Sequence, residues 1–189
     1  MEDAEQLHTE LPGAIGRQIR HVGENSMEFK SLEKNEAKLF IDFFNQLVQE
    51  TDYLLPTLKE ADKSEEQEKN TIEKFSDFKQ VFIAKEDNKI VGFIGITRAK
   101  LQKIKHIANF AIGVLAESKR NGIATNLLNI AERWLSERNV SRLEMTVIAE
   151  NNAAISFYQK NGFQQEGIRK NSIFMHNRYY NEVYMVKFI

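Results

Sequence analysis

Hydrophobic positions recur along this chain with two periods, and the change of period predicts its secondary structure. Between residues 37 and 48, apolar side chains return every three or four positions, which is the spacing of one helix face. The same spacing from Ile123 to Leu135 predicts a second strong helix. Between them, the short apolar runs 81–84 and 90–96 flank Asp87-Asn88, and this arrangement predicts a β-hairpin.

These elements follow one another in the order β, α, α, β, β, β, α, β, α, β, β. The fourth predicted strand (107–115) and the fifth (143–148) are joined by the long helix, so they should be parallel with a right-handed crossover. Hairpins should make the other strand pairs antiparallel. We therefore expect an α/β domain over residues 27–189, with a mixed, mostly antiparallel seven-stranded sheet and helices on both faces. Residues 1–26 show no sustained period and are interpreted as an extension.

Composition then narrows the class of protein. The 189 residues are enough for about one domain. Basic residues number 26 and acidic residues 27, so the chain lacks the basic excess that nucleic-acid binders usually carry. It has no Cys, and its four His show no metal-ligand spacing, so we expect no metal. No apolar run suits a membrane helix or a signal peptide, and a cytoplasmic protein without a membrane partner is expected.

The segment 112–128 carries the most informative motif. A strand ends, a turn with a glycine follows, and a helix begins, so several backbone N–H groups should lack internal partners. Such a helix start binds anions, and Lys119 and Arg120 add positive charge beside it. Gly122 and Ala124 lack the bulk that would keep a phosphate from the backbone. The pattern K-x-x-G-x-A matches neither the P-loop nor the dinucleotide fingerprint.

In this context the sequence resembles the GNAT acetyltransferase superfamily, over about residues 27–189. Its signature Q/R-x-x-G-x-G/A is matched at Lys119, Gly122 and Ala124, with Lys in place of the usual Gln or Arg. A second signature, V-x-x-x-N-x-x-A-I/V-x-x-Y-x-x-x-G-F, is matched by residues 147–163. The tail from Gly162 to Met185 resembles a bacterial subgroup that includes enzymes acting on protein N-terminal amines and on small amines.

The resemblance implies a site for acetyl-CoA. Strands four and five would splay apart, and the coenzyme would lie in the gap between them. Backbone groups of Ile112, Gly113 and Val114 would pair with its pantetheine amides like an added strand. The backbone N–H groups of Arg120, Asn121, Gly122, Ile123, Ala124 and Thr125 would hold the pyrophosphate, next to Lys119. Asn151 would contact the coenzyme from the fifth strand, although a helix-cap role fits it equally.

The resemblance also implies catalytic roles. Tyr158 would lie near the thioester sulfur and donate a proton to the leaving thiolate; the alternative is an aromatic packed in the core, a role that suits Phe157 better. Many relatives place a catalytic Glu on the fourth strand, about where Asn109 stands here. Glu144 is then a candidate base, with an ion-paired or solvated residue as the alternative. His106 and His176 are further candidates.

The expected function is N-acetyl transfer from acetyl-CoA to a primary amine, by direct transfer in a ternary complex. The alternative is a module on the same fold that binds acyl-CoA without turnover, which Asn109 favours slightly and Tyr158 opposes. The acceptor could be a peptide N-terminus or a small amine. Glu50, Asp52 and Glu60 near the acceptor loop would suit a polyamine, and exposed aromatics in the last strands would suit a homodimer.

Overall fold

The structure, a computed structural model, describes residues 18–22 and 25–189. Its strands are β1 (Gln18–Val22), β2 (Asn25–Ser31), β3 (Lys79–Glu86), β4 (Lys89–Arg98), β5 (Ile107–Val114), β6 (Arg142–Ile148), β7 (Gln164–Met175) and β8 (Arg178–Phe188). Its α-helices are α1 (Ala37–Glu50), α2 (Leu58–Ala61), α3 (Glu65–Ile72), α4 (Ile123–Ser136) and α5 (Asn152–Lys160).

The strands form one sheet in the order β1-β2-β3-β4-β5-β6-β8-β7. Every neighbouring pair is antiparallel except β5 and β6, which are parallel. The predicted mixed sheet with its parallel fourth and fifth strands is therefore confirmed, and those two strands are β5 and β6. The seven predicted strands are β2 to β8, to which the structure adds β1.

The added strand lies inside the segment 1–26 that the sequence analysis assigned to an extension. It pairs with β2 through a register that runs from Gln18 opposite Phe29 to Val22 opposite Asn25. The rest of that extension, residues 1–17 and 23–24, lies outside the described residues. The division of the chain into an extension and a domain stays a prediction.

The sheet separates two hydrophobic cores, because neighbouring residues of a strand point to opposite faces. On β3, Phe82 and Ala84 join the core beneath α4, whereas Val81 and Ile83 join the core beneath α1 and α3. Tyr158 of α5 belongs to the first of these cores. Helices therefore cover both faces, as predicted, and the parallel pair β5–β6 lies in the interior of the sheet.

The turns between elements agree with their residue types. Asp87 and Asn88 both adopt positive φ angles, of 46° and 64°, as the two-residue turn of the β3–β4 hairpin requires. Helix α1 ends at Glu50, shortly before Pro56, and α3 begins with a capping box between Ser64 and Gln67. Each of these local features was readable from the residue types in the sequence.

Candidate active site

The parallel strands β5 and β6 part soon after they begin. They are paired at three positions, from Ile107 opposite Arg142 to Asn109 opposite Glu144. Beyond Asn109, β5 continues to Val114 but is paired only with β4 among the described residues. The edge of β5 that faces β6 therefore presents backbone N–H and C=O groups to a gap. We call this gap the fork.

Ile112, Gly113 and Val114, the predicted pantetheine contacts, lie on the parted segment of β5. Their other edge is occupied, since they pair with Ile94, Phe93 and Gly92 of β4. An extended ligand that enters the fork could add to the free edge as a further strand would. These three residues therefore lie along the fork, and their contact with pantetheine stays a prediction.

Gly113 leaves room for α1 to approach the backbone of β5. A Cβ atom at Gly113 would lie 2.5 Å from Cδ2 of Leu47 and 3.1 Å from Cε1 of Phe93. The missing side chain therefore allows α1 to pack closely on the face of the sheet, and a ligand could reach Gly113 only along the strand edge.

The turn after β5 contains two residues in the left-handed backbone region. Arg120 has a φ of 68°, and Gly122, the residue that precedes the first turn of α4, has a φ of 73°. A Cβ atom at Gly122 would meet only Nδ2 of Asn126, at 3.7 Å. Backbone conformation, rather than crowding within the protein, is therefore what favours glycine here.

The same turn presents a run of unpaired amides. In the part of the chain that the structure describes, the backbone N–H groups from Arg120 to Thr125 donate no hydrogen bond, and the first helical bond runs from Asn126 to Gly122. Lys119 and Arg120 are exposed beside them, whereas Ile123 is buried and contributes only its backbone. Unpaired amides at the start of a 14-residue helix, with two cations, suit a pyrophosphate.

Tyr158 lies in an aromatic cluster on the α4 side of the sheet. Its ring contacts Phe110 of β5, Phe157 and Phe163, at centroid distances of 5.9, 5.2 and 5.6 Å. The side chain is buried and Phe157 only partly so; the expectation that Phe157 suits the core better is therefore wrong. Because the cluster includes Phe110, the first residue of β5 beyond the last paired position, Tyr158 stands at the base of the fork.

The phenol of Tyr158 is held in its neutral form. Burial raises the pKa of Tyr158 above its usual value, because the charged phenolate would lose its hydration. Its hydroxyl has no hydrogen-bond partner among the described residues. The unengaged hydroxyl can donate a hydrogen bond to a ligand, whereas the raised pKa by itself makes the phenol a weaker acid.

Asn151 acts as a helix cap in the structure. Its Oδ1 accepts a hydrogen bond from the backbone N–H of Ala154 at 3.2 Å, at the start of α5. This is the alternative role that the sequence analysis gave it. The amide nitrogen of the same side chain makes no hydrogen bond within residues 18–22 and 25–189, so a contact with the coenzyme stays a prediction.

Glu144, the predicted base, is engaged in an ion pair. Nε of Arg142 donates to its carboxylate at 2.7 Å, and the other guanidinium nitrogens of Arg142 bind Glu166. The two carboxylates raise the pKa of Arg142 above its usual value, mainly through the hydrogen bond to Glu166. Glu144 nevertheless sits opposite Asn109 at the last paired position of the fork. Its contacts are those of the alternative, ion-paired role.

A cavity of about 310 Å³ opens at the end of α1 and the β7–β8 turn. It is lined by Glu50, Thr51, Asp52, Tyr53, Glu150, Met175, His176, Arg178 and Tyr180. We call it the polar cavity. Glu50 and Asp52 were expected near the acceptor, whereas the third carboxylate is Glu150 rather than Glu60. The carboxylate of Glu60 instead caps the short helix α2 by accepting from Thr57.

The polar cavity lies next to the ends of both strands that form the fork, β5 and β6. Oε2 of Glu50 accepts a hydrogen bond of 2.7 Å from the backbone N–H of Ala116, which follows β5. Glu150 follows the end of β6. Ligands of open α/β sheets bind at the carboxyl ends of the strands, and the cavity lies at that end of β5 and β6. Of the two candidate histidines, His176 lines the cavity, and His106 lies at the opposite end of β5.

Glu150 and Arg178 were not predicted from the sequence. Each lies within a segment that resembles the family but at a position that the motif leaves unspecified, and 27 residues stand between them, so only the fold brings them to one cavity. Among the residues that the structure describes, no cluster of three or more His, Cys, Asp or Glu side chains could hold a metal ion. Nor does any helix in those ranges have the length and hydropathy needed to cross a membrane.

Comparisons with known proteins agree with this geometry. The chain is 31% identical over 105 residues to the L-amino acid N-acetyltransferase AaaT of Escherichia coli (strain K12). That match covers 53% of this chain and 63% of AaaT, so the chain spans less than two thirds of that relative.

Solved structures share the fold over most of the chain. A GNAT acetyltransferase from Streptococcus pneumoniae has a TM-score of 0.81 and 26% identity, covering 86% of this chain and 99% of that one. The yncA protein of Salmonella typhimurium, solved with acetyl-CoA, has a TM-score of 0.75 at 12% identity, covering 86% of this chain and 93% of that one.

The family comparison covers both motifs and the fork. Residues 42–163 match the model of the acetyltransferase (GNAT) family, and this range runs from α1 through the glycine turn to the end of the second signature. It includes the parted strands, the unpaired amides and Tyr158. The chain therefore belongs to the GNAT family of acetyltransferases.

Proposed function

We propose that this protein transfers an acetyl group from acetyl-CoA to a primary amine, directly and within a ternary complex. The fork carries the proposal: β5 and β6 part after Asn109, and the free edge of β5 leads to the unpaired amides of residues 120–125. One region of the molecule thus offers a slot for an extended chain and, next to it, a site for a pyrophosphate. Pantetheine and pyrophosphate are joined in this order in acetyl-CoA.

The residues present fit that cosubstrate. The amides from Arg120 to Thr125 would hold the pyrophosphate, with Lys119 and Arg120 neutralising its charge. Ile112, Gly113 and Val114 would pair with the pantetheine amides along the free edge of β5. When bound, acetyl-CoA supplies an acetyl thioester that an amine can attack. No metal takes part in this proposal.

The chain's own groups would assist three events. The amine nitrogen bonds to the acetyl carbon, and a backbone N–H near Val114 would stabilise the negative charge that develops on the acetyl oxygen. The carbon–sulfur bond then breaks, and Tyr158 would donate its proton to the sulfur. The balance is acetyl-S-CoA and an ammonium giving an acetamide, free CoA thiol and one proton. Of the two protons that the ammonium loses, one would restore the phenol of Tyr158 and the other would leave through the polar cavity.

The composition supports direct transfer. The sequence contains no Cys, so an acetyl group cannot pass through a cysteine thioester of the enzyme. Initial rates measured while both substrates are varied should therefore give intersecting lines in double-reciprocal plots. Parallel lines, or an acetylated protein isolated without acceptor, would contradict direct transfer.

A second function is favoured by one specific observation. Asn109 stands where many relatives place a Glu, and the nearby Glu144 is bound to Arg142, so the fork itself shows no unengaged carboxylate. A module that binds acyl-CoA without turnover would tolerate this arrangement. An acceptor screen that measures free thiol separates the two functions: both predict that acetyl-CoA raises the melting temperature, and only the enzyme releases thiol.

The predicted homodimer also stays a proposal. Phe174 and Tyr179 lie on the β7–β8 hairpin with rings 5.0 Å apart, and both are more than 60% exposed. Sedimentation of the whole chain would measure its oligomeric state. A monomer at micromolar concentration would remove the homodimer from the proposal and leave the catalytic assignment intact.

A further inference from the structure

We propose that the polar cavity holds the acceptor and selects a free amino acid, with Arg178 binding the carboxylate that stands beside the reacting amine. This inference rests on the proposed function, because it names the acceptor class of the same site. Two observations support it: the charged groups that line the cavity, and the fact that some of them have no partner among the described residues.

Two of the three carboxylates in the cavity are engaged. Glu50 accepts the backbone N–H of Ala116 at 2.7 Å, and Oδ2 of Asp52 lies 3.1 Å from Nε2 of His176. The third carboxylate, Glu150, has no side-chain hydrogen bond or ion pair within residues 18–22 and 25–189. One anionic group in the cavity is therefore available for a ligand.

One cationic group is available as well. Arg178 forms no ion pair with any described carboxylate, and its Cζ lies 4.1 Å from the centroid of the Tyr180 ring. Tyr180 is buried, so it provides a fixed surface on which the guanidinium stacks. The planar guanidinium can bind a carboxylate through two parallel hydrogen bonds.

Both groups line the same cavity, and its size suits one small molecule. A volume of about 310 Å³ is at the lower end of the range for small-molecule sites. An amino acid carries an ammonium and a carboxylate on the same carbon, so it can satisfy Glu150 and Arg178 together. Tyr53 and Met175 add apolar surface for its side chain.

The same groups disfavour the other acceptors. A polyamine would place a second ammonium near Arg178, where like charges repel. A protein N-terminus carries an amide where the amino acid carries its carboxylate, so Arg178 would lose its partner. Specificity of this kind arises because an unpaired charge in the site penalises the wrong ligand.

The test compares three acceptors that share one side chain: leucine, leucinamide and 3-methylbutylamine. For each, kcat/KM is measured with wild type, with Arg178→Gln, and with Arg133→Gln, which removes an exposed arginine of α4 far from the cavity. We expect Arg178→Gln to lower kcat/KM for leucine by about 10- to 100-fold, as loss of a charge-assisted hydrogen bond implies. The other two acceptors should change less than about threefold, and Arg133→Gln should change none of them.

A binding measurement keeps this test independent of turnover. Leucine should raise the melting temperature of wild type in the presence of CoA, and this shift should be lost in Arg178→Gln. Glu150→Gln should weaken all three acceptors alike, since each carries the ammonium. If amines are acetylated but leucine has no advantage that depends on Arg178, the inference is overturned and the proposed function stands. If no amine is acetylated, the proposed function fails, and the leucine-induced shift still decides whether the cavity binds amino acids.

Discussion

The two edges of β5 serve different purposes. Toward β4, the strand is paired at seven positions, from Ala108 opposite Arg98 to Val114 opposite Gly92. Toward β6, it is paired at three, and the rest of that edge faces the fork. The same strand therefore has one edge that is paired with the sheet and another that is left with free backbone groups.

This difference separates stability from binding within a single strand. The paired edge and the packed faces hold β5 in place, as the close approach of Leu47 to Gly113 shows. The free edge can then keep its N–H and C=O groups unpaired without the strand losing its position. Substitutions that act on the fork should thus change binding or rate, and substitutions that act on the packed side should change the free energy of unfolding.

The largest expected effect is at the unpaired amides of residues 120–125, where the pyrophosphate of acetyl-CoA would bind. Gly122→Glu should abolish the rise in melting temperature that saturating acetyl-CoA causes, a stabilisation of about 2.7 kcal/mol at a ligand concentration of 100 Kd. The variant combines a left-handed φ of 73° with a negative charge beside the pyrophosphate. Gly167→Glu is the matched control, because a Cβ atom there meets nothing within 4 Å. A full acetyl-CoA shift in folded Gly122→Glu would refute the assignment of the turn.

The next effect concerns the base of the fork. Tyr158→Phe should lower kcat by about 100-fold or more, because it removes the proton donor to the leaving thiolate. Acetyl-CoA affinity and stability should change little, since the ring keeps its contacts with Phe110 and Phe163 and the hydroxyl has no partner in the described residues. Tyr179→Phe, on the exposed hairpin, provides the control.

Two other outcomes would reassign Tyr158. Weaker coenzyme affinity with kcat nearly intact would make its hydroxyl a ground-state contact with the coenzyme rather than an acid. If neither quantity changes, the aromatic core role alone accounts for the residue, and the proton donor must be sought elsewhere.

Local sequence patterns predicted the helices and the hairpin packed around β5 better than they predicted the fork. The 3.6-residue period of α1 and α4 and the Asp87-Asn88 turn follow from short-range rules, and all are confirmed. The fork is different, because Phe110 to Val114 read as an ordinary apolar strand. The position at which β6 separates from β5 depends on tertiary packing. The presence of the fork was expected only from the resemblance to a family.

The residues of the candidate site also differ in how well the sequence predicted them. Gly122 stood out because its turn motif is contiguous, and the structure shows it beside unpaired amides. Arg178 carried no signal, since no motif specifies its position and it acquires its place only when β8 meets the end of α1. Strand β1 was missed because residues 18–22 show no sustained alternation, so pairing with β2 decides their conformation.

On the packed side of β5, Gly113→Ala should lower the free energy of unfolding by about 1–3 kcal/mol, the range for overpacking a core. The new Cβ would lie 2.5 Å from Leu47, which must move within a buried cluster. Gly95→Ala on β4 is the control, because its nearest neighbour would be 3.7 Å away. Leu47→Ala should cost less stability in the Gly113→Ala background than in the wild type, because it removes the atoms that the new Cβ meets. Acetyl-CoA affinity should change less than stability, and the opposite result would contradict the division between the two edges.

The smallest effect is expected at Glu144, the last position at which β6 is paired with β5. Glu144→Gln removes one of two carboxylates from Arg142, and Glu166 keeps the other contact. A partly exposed ion pair contributes under about 1 kcal/mol, so stability should change by no more than that. Because the carboxylate is already bound to Arg142, kcat should fall less than about threefold. Glu166→Gln is the matched control, since it removes the other carboxylate from the same guanidinium. If Glu144 is instead the base, kcat should fall by about 100-fold in Glu144→Gln and not in Glu166→Gln.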